Sequence, residues 1–367
     1  MSPERIVALL GRRDEPTDGV ADYCLYLGEA LVPLGYAVDV VRVPWAERGW
    51  RASLKELRKK AADWRGYWVL LQYTALSWSR RGFPLRVLRV LHILTQSGAR
   101  IGIVFHDASP FPGTRLLDTL RRRCQVMVMR RAYAVAERVF LTIPAEKNSW
   151  LPAQSSKDVF IPVGANQPET PLNTSHRQEG GAPLTVAVYG ITGGAQMRPE
   201  MQDIVFVMNR AAAHLPDLRL LVFGRNAMEA KEALVQALHG TRVALEVRGI
   251  LPPEEVAATL ARSDLLLFVR GHISSRRGSA IAGIACGLPV VGYQGPETAW
   301  PITDAGVSLA PAGDREALAM AVEQVLLDDS FRLTLAERSR RAHREYFSWP
   351  AIAKRFVEVL WRTGEMR

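Results

Sequence analysis

The sequence predicts an α/β protein made of two doubly wound, Rossmann-like domains that face a central cleft. Three observations lead to this prediction. Short apolar segments alternate with helical segments in both halves, a polar stretch at residues 165–183 interrupts the alternation, and an apolar helix near residue 280 runs directly into a buried strand. Alternation of this kind is typical of parallel sheets covered by helices on both faces. The predicted domains are residues 1–164 and 184–345, with a terminal helix in 346–367.

The first half contains five predicted strands and four predicted helices. Apolar runs bounded by turn-forming residues predict the strands, and apolar spacing of three to four residues predicts the helices. The strands are predicted at residues 5–10, 37–43, 67–73, 101–105 and 138–142, and the helices at 20–34, 53–64, 84–96 and 114–136.

The second half repeats the pattern after the polar linker. Strands are predicted at residues 184–189, 218–223, 242–247, 265–269 and 288–293, with helices filling the gaps. The last helix, near residues 350–361, carries an apolar face that includes Ile352 and Phe356.

Composition sets limits on the class of protein. The chain has 367 residues, 48% of them hydrophobic, and a formal net charge of +10. Such a charge favours anionic partners such as nucleotide phosphates, an anionic membrane face or nucleic acid. Cys24, Cys124 and Cys286 lie far apart in apolar settings, which predicts reduced core residues in a reducing compartment. No signal-peptide core or membrane-spanning run is visible, so we expect a cytoplasmic protein, soluble or peripheral to the cell membrane.

The turn at residues 274–279 (SSRRGS) leads into a helix of small and apolar residues that Gly287 ends. A helix that is apolar on all sides must be buried, with only its N-terminus open. Open N–H groups at that end suit a phosphate, and Arg276, Arg277 and Ser279 would add donors. A buried helix preceded by two solvated arginines is the alternative.

Four polar segments follow predicted strands and are expected to converge at the sheet edges. They are the loop at 11–19, the pair His106-Asp107, the loop after residue 189, and the 274–279 turn. Ligands of doubly wound sheets bind outside the carboxyl ends of the strands. The sequence therefore predicts a ligand site in the cleft between the two domains.

These motifs resemble those of nucleotide-sugar-dependent glycosyltransferases of the GT-B fold, in the large retaining family 4 group (group 1 glycosyltransferases). The resemblance covers essentially the whole chain. Its most specific segment is residues 285–291 (ACGLPVV), and residues 18–23, 161–166, 251–256 and 295–297 also match. It implies that the second domain binds the nucleotide sugar, that the first binds the acceptor, and that the terminal helix crosses back to the first domain.

Two departures from the family pattern stand out. The two glutamates that the family places around the phosphate-binding turn are replaced here by Ser274 and Ala282. The loop after the first strand of the second domain carries a single basic residue, Arg198. We expect Arg276 and Arg277 to compensate, because two guanidinium groups can neutralise a diphosphate.

The resemblance implies a set of site residues. His106 is the predicted catalytic residue and would position the donor sugar, while a strand-end histidine bonded to a neighbouring loop is the alternative. Glu297 would accept hydrogen bonds from the ribose, or else be an exposed residue at a helix start. Gly19 would allow close approach of a ligand, or serve a tight turn. The predicted donor-binding residues are Gly19, Gly190, Arg198, Ser274, Arg276, Arg277, Gly278, Ser279 and Glu297.

The basic segment 115–138 interleaves arginines with leucine, methionine and tyrosine. This mixture suits reversible contact with an anionic membrane, although a packed helix with a solvated basic face is an equal alternative. Nucleic acid is the weaker interpretation, because no aromatic and basic platform is present.

The sequence as a whole predicts a metal-independent glycosyltransferase without a cofactor. Its donor substrate would be a nucleoside-diphosphate sugar of unknown base. Its acceptor would be a glycan or a small molecule, and a lipid-linked or cell-envelope glycan is one candidate. Transfer is expected to retain the anomeric configuration. The rival prediction is a degenerate glycosyltransferase that binds a nucleotide or glycan as a partner protein, and the charge alone allows a transferase that acts on tRNA.

Overall fold

The computed structural model describes residues 4–152, 156–168 and 183–361, so most of the predicted linker lies outside the described residues. The chain divides into two compact units. The first comprises Met1–Pro162 and Trp349–Arg367, and the second comprises Val163–Ser348. Each described unit is an α/β layer structure with its own hydrophobic core.

The first unit contains a six-stranded parallel sheet in the order β2-β1-β3-β4-β5-β6. Its elements, in chain order, are β1 (Glu4–Leu10), α1 (Gly19–Leu31), β2 (Tyr36–Arg42), α2 (Trp45–Ala61), β3 (Trp68–Tyr73), α3 (Val87–Ser97), β4 (Arg100–Phe105), α4 (Leu116–Val135), β5 (Arg138–Leu141) and β6 (Asp158–Phe160).

The second unit repeats this design with the order β12-β11-β10-β7-β8-β9. Its elements are β7 (Leu184–Tyr189), α5 (Met197–His214), β8 (Leu218–Phe223), α6 (Ala227–Leu238), β9 (Val243–Val247), α7 (Pro253–Ala261), β10 (Leu265–His272), α8 (Gly278–Ala285), β11 (Val290–Tyr293), β12 (Val307–Ala310), α9 (Arg315–Leu327) and α10 (Asp329–Ala342).

The last helix, α11 (Trp349–Trp361), belongs to the first unit. The ring of its Phe356 stacks on Phe140 of β5 with centroids 4.3 Å apart. Trp361 lies 4.2 Å from the ring of Tyr36 at the start of β2. Aromatic contacts of this kind bury large apolar areas, so they fix α11 on the first sheet.

Two helices of the first unit differ from the sequence prediction. The helix predicted at 20–34 ends at Leu31 and continues as a 3₁₀ turn, because Pro33 has no N–H to donate to the helix. The helix predicted to begin at residue 53 begins at Trp45, with a non-helical Gly49 inside it. Trp45 and Trp50 stack across that interruption at 5.0 Å.

The three cysteines differ in burial. All three are unpaired thiols, with Cys24 and Cys286 buried and Cys124 partly buried. Burial raises the pKa of Cys286 to about 11, so its thiol stays protonated near neutral pH. Within the described chain, no helix has the length and hydropathy that a membrane span requires.

Candidate functional site

The turn between β10 and α8 ends in an open helix N-terminus. The N–H groups of Ala280 and Ile281 both donate to the carbonyl of Arg277, which begins the helix without a side-chain cap. The N–H groups of Gly278 and Ser279, which precede these two residues in the first turn, have no protein acceptor in the part of the chain that the structure describes. Such N–H groups carry the positive end of the helix dipole and suit an anionic ligand.

Helix α8 packs closely against the sheet because Gly283 has no side chain. A Cβ atom on Gly283 would lie 2.5 Å from a methyl carbon of Leu266 in β10, closer than packed atoms approach. Ala280, Ile281 and Ile284 are all buried beside it. The predicted apolar helix is therefore fixed against the sheet, and its N-terminus is fixed with it.

Glu297 is the centre of a buried charged cluster beside this turn. It is 6% exposed, so it is not the exposed helix-start residue that the sequence allowed. Arg276 donates to both of its carboxylate oxygens, at 2.7 Å from Nε and 2.9 Å from Nη2. The hydroxyl of Ser274 lies 3.3 Å from Oε2, and Nε2 of His272 lies 3.6 Å from the same oxygen.

This cluster brings together three predicted site residues, Ser274, Arg276 and Glu297. Their arrangement differs from the expectation, because the charge of Arg276 is already matched by a bidentate carboxylate. Position 274, where the sequence shows a serine in place of a glutamate, contacts the carboxylate of Glu297. A carboxylate thus reaches this place from a segment 23 residues further along the chain.

The loop after β7 is braced by β8 and α5. Gly190 has a left-handed backbone (φ 81°), and Ile191 exchanges hydrogen bonds with the segment after β8, donating to the carbonyl of Arg225 at 3.0 Å and accepting from the amide of Asn226 at 2.8 Å. The N–H of Thr192 donates to the carboxylate of Glu200 at 2.7 Å. Arg198, the basic residue predicted here, is exposed in the first turn of α5.

Glu200 was not singled out by the sequence. Its side chain is buried, and burial raises the pKa of its carboxyl, while the hydrogen bond from Thr192 acts in the opposite direction. Glu200 lies in the first turn of α5, next to a glycine-rich loop. A carboxylate at that position could have indicated a residue that accepts hydrogen bonds from the loop.

In the first unit, the loop at residues 11–19 is held by Arg42 at the end of β2. The guanidinium pairs with Asp18 at 2.9 Å and donates to the carbonyl of Gly11 at 3.2 Å. Asp18 also caps α1 by accepting from the N–H of Ala21 at 3.1 Å. Gly19 is the exposed first residue of that helix. The cap by Asp18 therefore fixes the backbone at Gly19, where the sequence predicts that a ligand approaches closely.

His106 follows β4 and bonds to a residue that the sequence did not suggest. Its Nε2 lies 2.7 Å from Oε1 of Gln72, whose amide nitrogen donates to the carbonyl of Leu70. Since that oxygen can only accept, Nε2 carries the proton and Nδ1 is left as an acceptor. The ring of Tyr23 meets the imidazole edge to face at 4.7 Å.

Burial lowers the pKa of His106 to about 4, so the imidazole is neutral at pH 7. A neutral imidazole donates from one nitrogen and accepts at the other, which suits the alignment of a hydroxyl group. It does not suit donation of a proton at neutral pH.

Among residues 4–152, 156–168 and 183–361, no group of three or more His, Cys, Asp or Glu side chains is arranged to hold a metal ion.

Comparisons with known proteins bear on the fold and on the second unit. Residues 190–328 match the family model described as "Glycosyl transferases group 1". No curated protein matches the chain significantly. Similar solved structures include sucrose-phosphate synthase from Thermosynechococcus elongatus, with 21% identity, a TM-score of 0.71 and 98% coverage of both chains.

Two further solved structures show how widely the fold is shared. Anabaena HepE, solved in complex with UDP and glucose, is 14% identical with a TM-score of 0.65, covering 97% of this chain and 99% of its own. A putative UDP-N-acetylglucosamine 2-epimerase from Listeria monocytogenes is 14% identical with a TM-score of 0.61, covering 100% and 99%. Likeness at this level of identity is evidence for the fold alone.

The predicted fold class is confirmed, since two doubly wound parallel sheets occur here as in the glycosyltransferases among these structures. The second unit matches a group 1 glycosyl transferase domain, within a chain that has the GT-B fold.

Proposed function

We propose that the chain is a glycosyltransferase that moves a sugar from a nucleoside-diphosphate sugar to an acceptor, with retention and without a metal ion. The observation that carries the proposal is the family match over residues 190–328. That span contains the open N-terminus of α8 and the buried Glu297 cluster.

The residues of the second unit suit a nucleotide donor. The N–H groups of Gly278 and Ser279, with Arg277 beside them, offer donors to a diphosphate whose negative charge grows as the anomeric bond breaks. Arg276 and Ser274 both donate to the Glu297 carboxylate and hold it in position beside the turn that leads into α8. We propose that this carboxylate accepts hydrogen bonds from the ribose hydroxyls of the donor.

His106 is proposed to align a hydroxyl group of the donor sugar. Its neutral state and its bond to Gln72 fix which nitrogen donates and which accepts. Alignment of this kind acts on the reaction rate through geometry rather than through proton transfer.

The acceptor is proposed to be lipid-linked, because α4 begins with exposed leucines. Leu116 is 93% exposed, and Leu117 and Leu120 are each 58% exposed. Two arginines of the same helix are engaged by the protein itself. Arg121 pairs with Asp118 and donates to the carbonyl of Arg81, and Arg122 donates to the carbonyls of Phe111 and Gly113.

The decisive experiment is donor-dependent release of nucleoside diphosphate. The full chain would be incubated with a panel of nucleotide sugars, starting with UDP-glucose because HepE is solved in complex with it. Activity in the presence of EDTA tests the metal-independent part of the proposal. Release of UDP or another diphosphate above the level of an Arg277→Ala variant supports catalysis.

Binding without release would favour the rival function, a degenerate glycosyltransferase that acts as a nucleotide- or glycan-binding partner. The observation that supports this alternative function is the replacement of both family glutamates, by Ser274 and Ala282. A thermal shift with nucleotide but no turnover over the whole donor panel would select it.

A further inference from the structure

We infer that Arg270, at the end of β10, supplies the cation that holds the diphosphate of the donor, above the backbone of Gly190. This inference rests on the proposed function and names a residue that the sequence did not suggest. Four observations on the second unit lead to it.

The first observation is the position of Arg270 in the sheet. The chain runs from β7 to β8 and β9 on one side, while β10, β11 and β12 lie on the other side of β7. The gap between β7 and β10 is therefore the topological switch point, where ligands of doubly wound sheets bind outside the strand ends. Gly190 directly follows β7, and Arg270 lies near the carboxyl end of β10.

The second observation is the close approach of the guanidinium group to that loop. A Cβ atom on Gly190 would lie 3.3 Å from Nη1 of Arg270 and 3.6 Å from its Cδ. The left-handed φ of 81° already favours glycine at this position. The guanidinium therefore covers the backbone of the loop, where a side chain would push it away.

The third observation is that the donors of Arg270 are unused. Its Nε is buried and has no hydrogen-bond partner, and the guanidinium makes no ion pair with any residue that the structure describes. A buried donor without an acceptor lowers the stability of a folded protein, and more so when it is charged. An anionic ligand would supply the missing acceptors.

The fourth observation is the charge around the guanidinium. Burial lowers the pKa of Arg270, the carboxylate of Glu200 raises it, and the cation of Arg225 lowers it further. Glu200 is already engaged by the N–H of Thr192. The guanidinium of Arg270 therefore lies near one carboxylate and one further guanidinium in the same group of side chains.

Arg276 provides the contrast. Its guanidinium donates twice to Glu297, so its charge is matched within the protein. Binding of a diphosphate should therefore depend more strongly on Arg270 than on Arg276, which acts as a positioning residue for the carboxylate.

The test measures binding of UDP, uridine and inorganic pyrophosphate to the full chain by calorimetry. Arg270→Met retains the apolar part of the side chain and removes the charge. Loss of a charged hydrogen bond, about 1.5–3 kcal/mol, corresponds to about 10–150-fold weaker UDP and pyrophosphate binding. Uridine binding should change by less than about threefold, since uridine carries no phosphate.

Arg248→Met is the matched control, because Arg248 is an exposed arginine just after β9 that pairs with Glu246. It should bind UDP like the wild type. Arg270→Lys keeps the charge and should recover part of the affinity, and it carries the test if Arg270→Met does not fold. Equal UDP affinity in a folded Arg270 variant and the wild type would overturn the inference while the proposed function stands.

Pyrophosphate binding without nucleotide binding would contradict the proposed function but not the role of Arg270. If no nucleotide in the panel binds, yet pyrophosphate binds and this binding is lost in Arg270→Met, the proposed function fails and the anion site stands. Pyrophosphate binding that is lost in Arg276→Met but kept in Arg270→Met would overturn the inference in favour of Arg276, one of the two arginines that the sequence predicted for this role.

Discussion

Replacing Arg276 by alanine would leave the Glu297 carboxylate buried without its guanidinium. The carboxylate is 6% exposed and accepts two hydrogen bonds from Arg276, at 2.7 and 2.9 Å. Removing one partner of a buried ion pair costs about 3–5 kcal/mol. The hydroxyl of Ser274 remains 3.3 Å from the carboxylate, so we expect the lower end of that range, about 3 kcal/mol.

Scanning calorimetry of the full chain measures this loss. The second unit has about 190 residues, a size at which 1 kcal/mol shifts the melting temperature by about 2–4 °C. Arg276→Ala should therefore lower the transition of the second unit by about 6–12 °C. Arg248→Ala removes an ion pair whose side chains are 44% and 40% exposed, and it should shift the transition by less than about 2 °C.

A double variant separates a buried charge from a general packing defect. Arg276→Met combined with Glu297→Leu removes both charges and keeps similar volumes, so it should regain most of the stability lost in Arg276→Ala. A shift for Arg276→Ala as small as that of Arg248→Ala would refute the buried pair. A double variant less stable than Arg276→Ala would refute the role of charge in the loss.

Three other predictions concern the first unit. His106→Ala should lower turnover about tenfold while UDP affinity stays nearly unchanged, because the proposed contact is with the sugar; an equal loss of UDP affinity would place the residue elsewhere. The folded pKa of His106, about 4, lies below the unfolded value of about 6.5, so its contribution to stability is present above pH 6.5 and is lost as the pH falls towards 4. Urea midpoints at pH 7 and pH 5 should therefore differ less in His106→Gln than in the wild type, and an unchanged difference would contradict the lowered pKa. Changing Leu116, Leu117 and Leu120 to serine should weaken co-sedimentation with anionic liposomes, whereas Leu333→Ser, at a residue 63% exposed in the second unit, should not; equal binding by both variants would exclude α4 as the membrane contact.

The strands were predicted more accurately than the site, for a physical reason. A buried parallel strand is a continuous apolar run, so its limits are visible locally, and β7 and β8 lie where the sequence placed them. Strand β10 was predicted to end at Val269 but continues to His272, because a polar residue at a strand end interrupts the apolar pattern without ending the hydrogen bonding. Arg270 therefore lies outside the predicted strand.

The partners of the site residues could not be predicted from spacing. His106 bonds to Gln72, 34 residues earlier, and Glu297 bonds to Arg276, 21 residues earlier. Both contacts arise because parallel strands that are separated in the chain end at the same edge of a sheet. Local patterns indicated that polar residues gather at these edges, whereas the pairing depends on strand order and on the twist of each sheet.

The number of arginines therefore indicates less about anion binding than whether each guanidinium is paired with a carboxylate of the protein. Arg42 is matched by Asp18, Arg276 by Glu297, and Arg121 by Asp118, so these three cations contribute mainly to local structure. Arg270 differs, because its Nε is buried with no acceptor in the described residues. An unsatisfied buried charge lowers stability, and it persists in a folded protein when a ligand supplies the missing partner. The unmatched cation at the switch point of the second sheet is thus a sharper indication of a phosphate site than the net charge of +10.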